Sequence, residues 1–374
     1  MSYEIKSLPF ETLFSTMAMA EDRLARLDEI VRFSPVGEGA VERGHFRDAV
    51  AAMWVSGELV HIEDLVLHDA HMDIRAPTHE LTIAHAILRT RRRIAINEPG
   101  WALSNAGIDA LTRHKTVVAE ASNDLSLKTP KDTENSPLAG DNVDLLAIEI
   151  AKMDEILNRS QQLLERDSAG GTKQTAMSKP LIVGDLLLRD SDWDEPARLL
   201  QWKELIKKVE GLPITLGAAL IYDAWESLEP LQNQHWIGAQ LVGGYLRAKG
   251  KVSSHLLSFN VGLRTIPRDR RRSQSRTIRL LAFLSAMTVA AEISMKEIIR
   301  LTQAREQMQR RLEGRRSSSS LPIVIDLILS RPIVSTAMIA KEAKLTPRGA
   351  LNLIAELGVR ELTGRGRYRG WGVI

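Results

Sequence analysis

The polar side chains best suited to chemistry lie near the C-terminal end of the sequence. Arg348 and Asn352 are four residues apart, so a helix would carry both on one face. Arginine and asparagine are the side chains that pair with guanine and adenine edges in the DNA major groove. Thr346 before Pro347 is a favoured start for such a helix, and the free N–H groups of a helix start bind phosphate. The pattern predicts a helix that reads bases.

Basic residues continue beyond this helix in a hairpin pattern. Gly358 is placed to end the helix, and Gly364 and Gly366 lie between two short arms. Arginines alternate along the second arm, so a strand would carry them on one face. The side chains predicted to contact phosphates or the minor groove are Lys344, Thr346, Arg365, Arg367 and Arg369.

The elements that must position these side chains are predicted over residues 321–374. An apolar helix, a short helix, a turn and the capped third helix follow one another. The three helices are predicted over Leu321–Ser330, Ser335–Ala343 and Pro347 to about Leu357. On the third helix, Leu351, Ile354 and Leu357 share one face, which is expected to pack on the first two helices. This order with a basic hairpin behind it is typical of a winged helix-turn-helix that binds double-stranded DNA. A winged helix used for protein docking or dimerisation is the alternative.

Charge is distributed unevenly along the chain. The net charge is +3, but residues 264–374 contain 22 Lys and Arg against 9 Asp and Glu, so the preceding part is acidic. A basic C-terminal third indicates a polyanionic partner, and solvated basic helices are the alternative. The densest basic run, from Arg264 to Arg279, is expected either to contact phosphate beside the winged helix or to pair with the acidic N-terminal part.

Composition excludes several classes of site. The sequence has no cysteine, which excludes a disulfide scaffold, a cysteine-ligated zinc site and a thiol nucleophile. The five histidines between His61 and His85 lack the spacing of metal ligands, so no metal or cofactor is expected. No apolar run reaches about 18 residues, and the N-terminus lacks the features of a secretory signal. These observations predict a cytoplasmic protein that does not span a membrane.

The rest of the chain is predicted to be helical, which gives a mostly α fold. Its predicted parts are an N-terminal helical domain over residues 8–120, a linker with one helix over 121–180, a second helical domain over 181–314 and the winged helix-turn-helix with its small β-hairpin over 321–374. Within the second helical domain, Leu256–Pro267 is predicted to be a turn-rich crossing.

One segment of the second helical domain, AWESLEPLQNQHWIGAQLV at residues 224–242, resembles the Fic motif. In Fic proteins, which transfer AMP or related groups to hydroxyls, a stretch like FxxIHPFxDGNGRxGRLL joins two helices. The positions that keep an apolar residue, a proline or a small residue are Trp225, Leu228, Pro230, Leu231, Gly238 and Leu241. The resemblance covers roughly residues 195–374. It implies a Fic-like helical body followed by a winged helix.

The polar positions of that motif all differ in this chain. Glu229 replaces the general-base histidine, and Asn233 replaces the metal-binding acid. The Gly-Asn-Gly turn that cradles phosphate is replaced by Gln234, His235 and Trp236. The two arginines are replaced by Ile237 and Gln240. The resemblance therefore implies a Fic-like scaffold without transferase activity, and no catalytic residue is predicted.

Over its whole length the chain also resembles an uncharacterised family of rhizobial, often plasmid-encoded proteins. That family combines a domain of unknown function with a C-terminal helix-turn-helix. The resemblance implies an architecture and carries no mechanism.

Three functional hypotheses follow from these observations. The first is a DNA-binding transcriptional regulator that reads symmetric half-sites as a homodimer, with Arg348 and Asn352 on the bases. The second is an inactive Fic-like module that binds another protein as an antagonist or an antitoxin-like partner. The third is a divergent nucleotidyl transferase in which Glu229 acts as the base.

Overall fold

The computed structural model describes residues 3, 5, 8–73, 76–112, 193–311, 320–363 and 369–373. The predicted linker over residues 121–180 and the predicted phosphate contacts Arg365 and Arg367 lie outside the described residues. The chain divides into two compact units, one formed by residues 1–104 with 190–374 and the other by residues 105–189. In the second unit, helix α5 spans Asn105–Thr112.

The body of the first unit is built from helices whose apolar residues repeat at helical spacing. The helices before the second unit are α1 (Phe10–Phe33), α2 (Gly37–Ser56), α3 (Ile62–Asp69) and α4 (His79–Ile96). Those after it are α6 (Glu195–Lys208), α7 (Ile214–Leu228), α8 (Ile237–Ala248), α9 (Phe259–Thr265), α10 (Arg268–Arg271) and α11 (Arg276–Arg310). The prediction of a mostly helical fold is confirmed.

The core of the first unit is arranged around α11. This helix packs against α1, α7 and α9, while α9 also packs against α2. Phe46 of α2, Phe259 of α9 and Phe283 of α11 are almost wholly buried in this core. Helices from the predicted domains 8–120 and 181–314 therefore share a common core.

Helix α11 is long and apolar enough to cross a membrane when only length and composition are considered. Half of its apolar stretch is buried inside the protein. That burial is typical of the central helix of a folded domain, because a core helix is apolar on the faces that its neighbours cover.

The predicted turn-rich crossing over Leu256–Pro267 is wrong in part, because α9 occupies most of it. Phe259 and Leu263 face the core, although seven residues are too few to display a clear helical period. Gly262 allows α9 to approach α11 closely, since a Cβ at this position would collide with the carbonyl oxygen of Ala286. Tertiary packing, which the local pattern does not reveal, stabilises this short helix.

The C-terminal residues form three helices and a small antiparallel sheet. In chain order they are α12 (Leu321–Ser330), β1 (Val334–Ser335), α13 (Thr336–Glu342), α14 (Pro347–Leu357), β2 (Arg360–Glu361) and β3 (Gly370–Gly372). The strand order is β1-β3-β2, with Val334 opposite Trp371 and Arg360 opposite Gly372. This succession of elements agrees with the predicted helix-turn-helix with a small β-hairpin.

Helix α12 packs against α2, so the C-terminal helices rest directly on the body. Gly39 of α2 makes the approach possible, because a Cβ there would lie 3.2 Å from the carbonyl oxygen of Leu329. An ion pair between Arg331 and Glu42 lies at the same contact. Contacts made by α12 therefore help to set the position of the C-terminal helices on the body.

Arg43 of α2 is the centre of this contact and is buried. Its guanidinium donates to the backbone carbonyls of Ile328, Arg331 and Val373. Its Nε lies 2.8 Å from Oε1 of Glu297 on α11. One side chain therefore satisfies carbonyls at the end of α12 and beyond β3 while its charge is balanced from the body.

Candidate nucleic-acid interface

Helix α14 begins and ends where its sequence requires. The Thr346 hydroxyl accepts a hydrogen bond from the backbone N–H of Gly349 at 3.1 Å, which makes Thr346 the N-cap. Pro347 follows in the first turn, where its missing N–H is no loss. Gly358 ends the helix with a φ of 60°, a conformation that favours glycine.

One long face of α14 is open to solvent. Its exposed residues, spaced three and four apart, are Arg348, Leu351, Asn352 and Ala355. The prediction that Leu351 packs inward is wrong, since it is 38% exposed. Ala350 joins Ile354 and Leu357 on the buried side instead, because the spacing of 350, 354 and 357 follows the helical repeat more closely. We call the exposed residues the α14 face.

The polar members of the α14 face are free to meet a ligand. Among the described residues, the side chains of Arg348 and Asn352 have no hydrogen-bond or ion-pair partner. Leu351 is exposed beside them, and an apolar side chain on a helix that enters the major groove can contact thymine methyl groups. The sequence interpretation missed Leu351 as a candidate contact, although the i, i+3 and i+4 relation to Arg348 and Asn352 contains that signal.

Lys344 and Thr346 flank the start of α14. Lys344 is exposed and has a φ of 53°, the left-handed conformation that lets the chain turn sharply between α13 and α14. Thr346 is exposed as well, so its hydroxyl can donate outward while it caps the helix. Both residues lie at the positive end of the helix dipole, where an anion is favoured.

Arg369, predicted as a phosphate contact, already has a partner. Its Nη2 lies 2.6 Å from Oε2 of Glu361 across the sheet, and its guanidinium stands 5.3 Å from the centre of the Trp371 ring. The hydrogen bond and the charge of Glu361 raise the pKa of Arg369. Its positive charge is thereby balanced in part.

The segment that resembles the Fic motif forms a loop between two helices, α7 and α8. Glu229 takes a left-handed φ of 42° directly after α7, and its side chain is exposed. Pro230 is buried, Asn233 is half-buried and His235 is exposed. Gly238 makes room for the indole of Trp225, since a Cβ there would collide with it. The loop is thus positioned by its apolar residues, which are those that the resemblance retains.

Gln240 lies in the core of the first unit and not at the loop surface. Its Oε1 accepts a hydrogen bond of 2.8 Å from Nη1 of Arg91, which is fully buried. The same guanidinium lies 2.5 Å from Asp48 and donates to the carbonyl oxygen of Leu256 at 3.1 Å. Gln240 therefore belongs to a buried polar network that joins α2, α4 and α8, and it is not positioned to hold a phosphate at the loop.

The basic run from Arg264 to Arg279 lies at the opposite end of α11 from the C-terminal helices. Arg279 pairs with Asp223 of α7, with Nε 2.6 Å from Oδ1. The contact with the C-terminal helices involves Glu297, about 30 Å farther along the helix axis. The run is therefore not beside the third helix, and the acid that Arg279 meets belongs to the middle of the chain.

Two of the five histidines between His61 and His85 lie beside a carboxylate. Nδ1 of His68 lies 2.9 Å from Asp73, and Nε2 of His85 lies 3.4 Å from Asp69. Among the described residues, no group of three or more His, Asp or Glu side chains is arranged to hold a metal ion.

Two parts of the chain match known protein families. Residues 187–313 match a family described as "Protein of unknown function (DUF1612)", and residues 321–374 match one described as "HTH DNA binding domain". A relative from Sinorhizobium fredii (strain NBRC 101917 / NGR234), described as the uncharacterised protein y4cF, is 43% identical over 385 residues. The alignment covers all of this chain and all of the relative. The predicted combination of a domain of unknown function with a C-terminal helix-turn-helix, in a rhizobial family, is confirmed.

Proposed function

This chain belongs to the family of the Sinorhizobium y4cF protein, and from that premise we propose that it is a transcriptional regulator that reads double-stranded DNA with α14. The observation that carries the proposal is the α14 face. It presents an arginine and an asparagine without internal partners, in a domain that matches a DNA-binding family. The helix start and Lys344 would meet phosphates, and Arg348 and Asn352 would meet bases.

The order of helices and strands supports a winged helix-turn-helix. In that arrangement β2 and β3 form the base of the wing, and Arg365 and Arg367 near its tip would contact phosphates or enter the minor groove. Docking of another protein would favour a continuous apolar surface, whereas two of the four residues of the α14 face, Arg348 and Asn352, are polar. Arg369 would contribute less than the other two because Glu361 already engages it.

We further propose that the regulator acts as a homodimer in the cytoplasm. A single third helix contacts only a few base pairs, so two copies on symmetric half-sites would supply the missing affinity and specificity. Sedimentation of the full chain with and without a bound DNA fragment tests this directly, because a monomer on an isolated half-site gives a different mass.

The experiment that tests DNA reading is binding of the purified chain to fluorescent fragments of its own upstream region at two salt concentrations. We expect sequence-preferring binding that weakens steeply with salt. Arg348→Ala should cost about 1–3 kcal/mol, or roughly 5- to 150-fold in affinity. The matched control is Arg26→Ala, which removes an exposed arginine from α1. Binding that ignores both sequence and Arg348 would contradict the proposal.

A second function is favoured by the exposed loop between α7 and α8. Its apolar frame fits a Fic-like scaffold, and Glu229 and His235 are exposed there while Gln240 is withdrawn into the core. An inactive module of this kind would bind another protein through the loop and would carry out no nucleotidyl transfer. Glu229→Ala should leave the protein's cellular phenotype unchanged if there is no transferase, whereas a lost phenotype together with lost labelling from ATP would indicate catalysis.

A further inference from the structure

A cavity of about 290 Å³ lies where the end of α2 meets α9 and α10. Four arginines line it, Arg264, Arg268, Arg271 and Arg272, together with the indole of Trp54. Among the described lining residues none is acidic. We call this site the Trp54 cavity, and nothing in the proposed reading of DNA makes use of it.

No ion pair engages the arginines of the Trp54 cavity in the described part of the chain, although the charge of Glu226 on α7 acts on Arg271 and Arg272. Arg264, Arg268 and Arg272 have no carboxylate partner there. Arg271 donates from Nε to the carbonyl oxygen of Ile266 at 3.0 Å, a neutral acceptor. Burial lowers the pKa of the Arg271 guanidinium, and the charges of Arg272 and Arg268 lower it further, while Tyr222 and Glu226 act in the opposite direction. A bound anion would relieve this repulsion.

The remaining wall of the cavity includes an aromatic ring and further apolar side chains. Trp54 is 40% exposed, and Arg264 stands 5.5 Å from the centre of its ring. Val55, Ile266 and Pro267 add apolar surface, and Ser56, Gly57 and Thr265 complete the wall. The volume lies at the lower end of the range for small-molecule sites, about 300–1,000 Å³. A ligand that fits has a charged end and a compact, planar apolar part.

We propose that the Trp54 cavity binds a small phosphorylated organic anion. Its phosphate would lie between the arginines, whose planar guanidinium groups match phosphate geometry with two parallel hydrogen bonds. Its ring would lie against the indole and Pro267. The binding of the ligand stands independently of DNA reading, whereas its use as a regulatory signal rests on the proposed function.

The shape and position of the site favour a small anion over the phosphates of bound DNA. DNA bound at α14 would be separated from the cavity by most of the length of α11, which is about 50 Å. The arginines also surround a recess, while a duplex backbone requires cations along an open surface. The cavity nevertheless has a physical connection to the C-terminal helices, because α2 lines it at one end and contacts α12 near the other.

The test is calorimetric titration of the full chain with inorganic phosphate, phenyl phosphate and guanosine 5′-monophosphate, with guanosine as the uncharged comparison. We expect the two ring phosphates to bind more tightly than inorganic phosphate or guanosine. Replacing Arg268 and Arg272 together by alanine should weaken that binding at least about tenfold. Arg270→Ala is the matched control, since Arg270 is exposed on the same helix but does not line the cavity.

Two outcomes would overturn the proposal. One is the absence of binding by both ring phosphates, or binding that is equal in wild type and the double variant. The other is a loss of DNA affinity in the double variant as large as that of Arg348→Ala, which would assign the cavity to the DNA surface. Because the titration contains no DNA, it gives the same answer whether or not the α14 face reads bases, so the two proposals fail separately.

Discussion

The two ends of the α2 and α11 pair differ in how they use arginine. At the end that contacts the C-terminal helices, Arg43 is buried and donates to Glu297 and to three backbone carbonyls. At the other end, the arginines of the Trp54 cavity have no carboxylate partner among the described residues, and three of them are exposed. The same residue type therefore stabilises the fold where acceptors surround it and remains available to a ligand where they do not.

This difference explains why net charge alone does not locate function. The basic C-terminal third contains arginines that hold the structure together, such as Arg279 on Asp223, and arginines that point into solvent, such as Arg348. Only arginines of the second kind, which have no internal partner, can form a new ion pair with an anion. The following four changes test the comparison between the two ends.

The largest effect is expected for Arg43→Ala at the end of α2 that contacts the C-terminal helices, which we call the docking end. Removing a buried guanidinium leaves three carbonyls without their donor and should lower the free energy of unfolding by about 3–5 kcal/mol. Chemical denaturation of the full chain measures this. Arg47→Ala is the matched control, because Arg47 also reaches Glu297, at 3.1 Å, but is partly exposed, so its loss should cost about 1 kcal/mol or less. Equal losses of unfolding free energy in the two variants would mean that the buried Arg43 contributes no more stability than the partly exposed Arg47.

At the cavity end, the largest effect should come from Gly262→Ala. The added Cβ would meet the carbonyl oxygen of Ala286, so α9 must move away from α11. Overpacking of this kind costs typically about 1–3 kcal/mol. Because α9 carries Arg264, binding of phenyl phosphate should weaken in the same variant, and titration measures that change. Gly211→Ala serves as the control, since a Cβ at Gly211 has open space. Unchanged stability in Gly262→Ala would contradict the close approach of the two helices.

Acid should reduce the stability contributed by the ion pairs at the docking end and should leave the arginines at the cavity end unaffected. Burial raises the pKa of Glu297, but the charges of Arg47 and Arg43 and the hydrogen bond from Arg300 outweigh burial and lower that pKa below its usual value. A carboxyl with a lowered pKa stabilises the fold fully above its unfolded pKa, and this contribution is lost as the pH falls below about 4.5. Thermal unfolding from pH 6 down to pH 3 should therefore show a smaller acid-induced loss in Glu297→Gln than in wild type. An equal fall in melting temperature with pH in the two proteins would show that Glu297 does not cause the acid dependence.

The smallest stability effect is expected for the double replacement of Arg268 and Arg272 by alanine. Both side chains are exposed and without carboxylate partners among the described residues, so the free energy of unfolding should change by at most about 0.5 kcal/mol. Relief of repulsion would give the change a stabilising sign. A loss above about 2 kcal/mol in denaturation would mean that these arginines are structural, and the contrast with Arg43 would no longer hold.

Local sequence signals predicted the C-terminal helices closely. Thr346, Pro347 and Gly358 fix both ends of α14 because capping depends on residues that are adjacent in the chain. The error at Leu351 has a local cause as well. Ala350 is small, so it contributed little to the apparent apolar stripe, although its place in the helical repeat gives it the buried position.

Long-range contacts were not accessible to the same reasoning. Arg43 donates to Arg331, which is 288 residues away in the sequence, and no periodicity signals such a partner. The Trp54 cavity likewise joins the end of α2 to residues more than two hundred positions later. Trp54 has apolar neighbours in the sequence, a pattern typical of a core residue, but it is 40% exposed because its surroundings depend on where α9 and α10 pass. Residues that meet only through packing thus require the structure.

Helix α11 has a mechanical consequence for any signal that starts at the cavity. It is 35 residues long, which corresponds to a rod of about 52 Å. Its first turn follows Arg271 and Arg272, and Arg311 just beyond its last turn lies against Gly358 at the end of α14. A tilt of about 5° at the first turn displaces the far end of such a rod by roughly 4–5 Å. That displacement exceeds one base-pair step of about 3.4 Å. If the cavity binds an anion and α14 reads DNA as proposed, a small rearrangement around the anion would be enough to shift α14 out of register with its site.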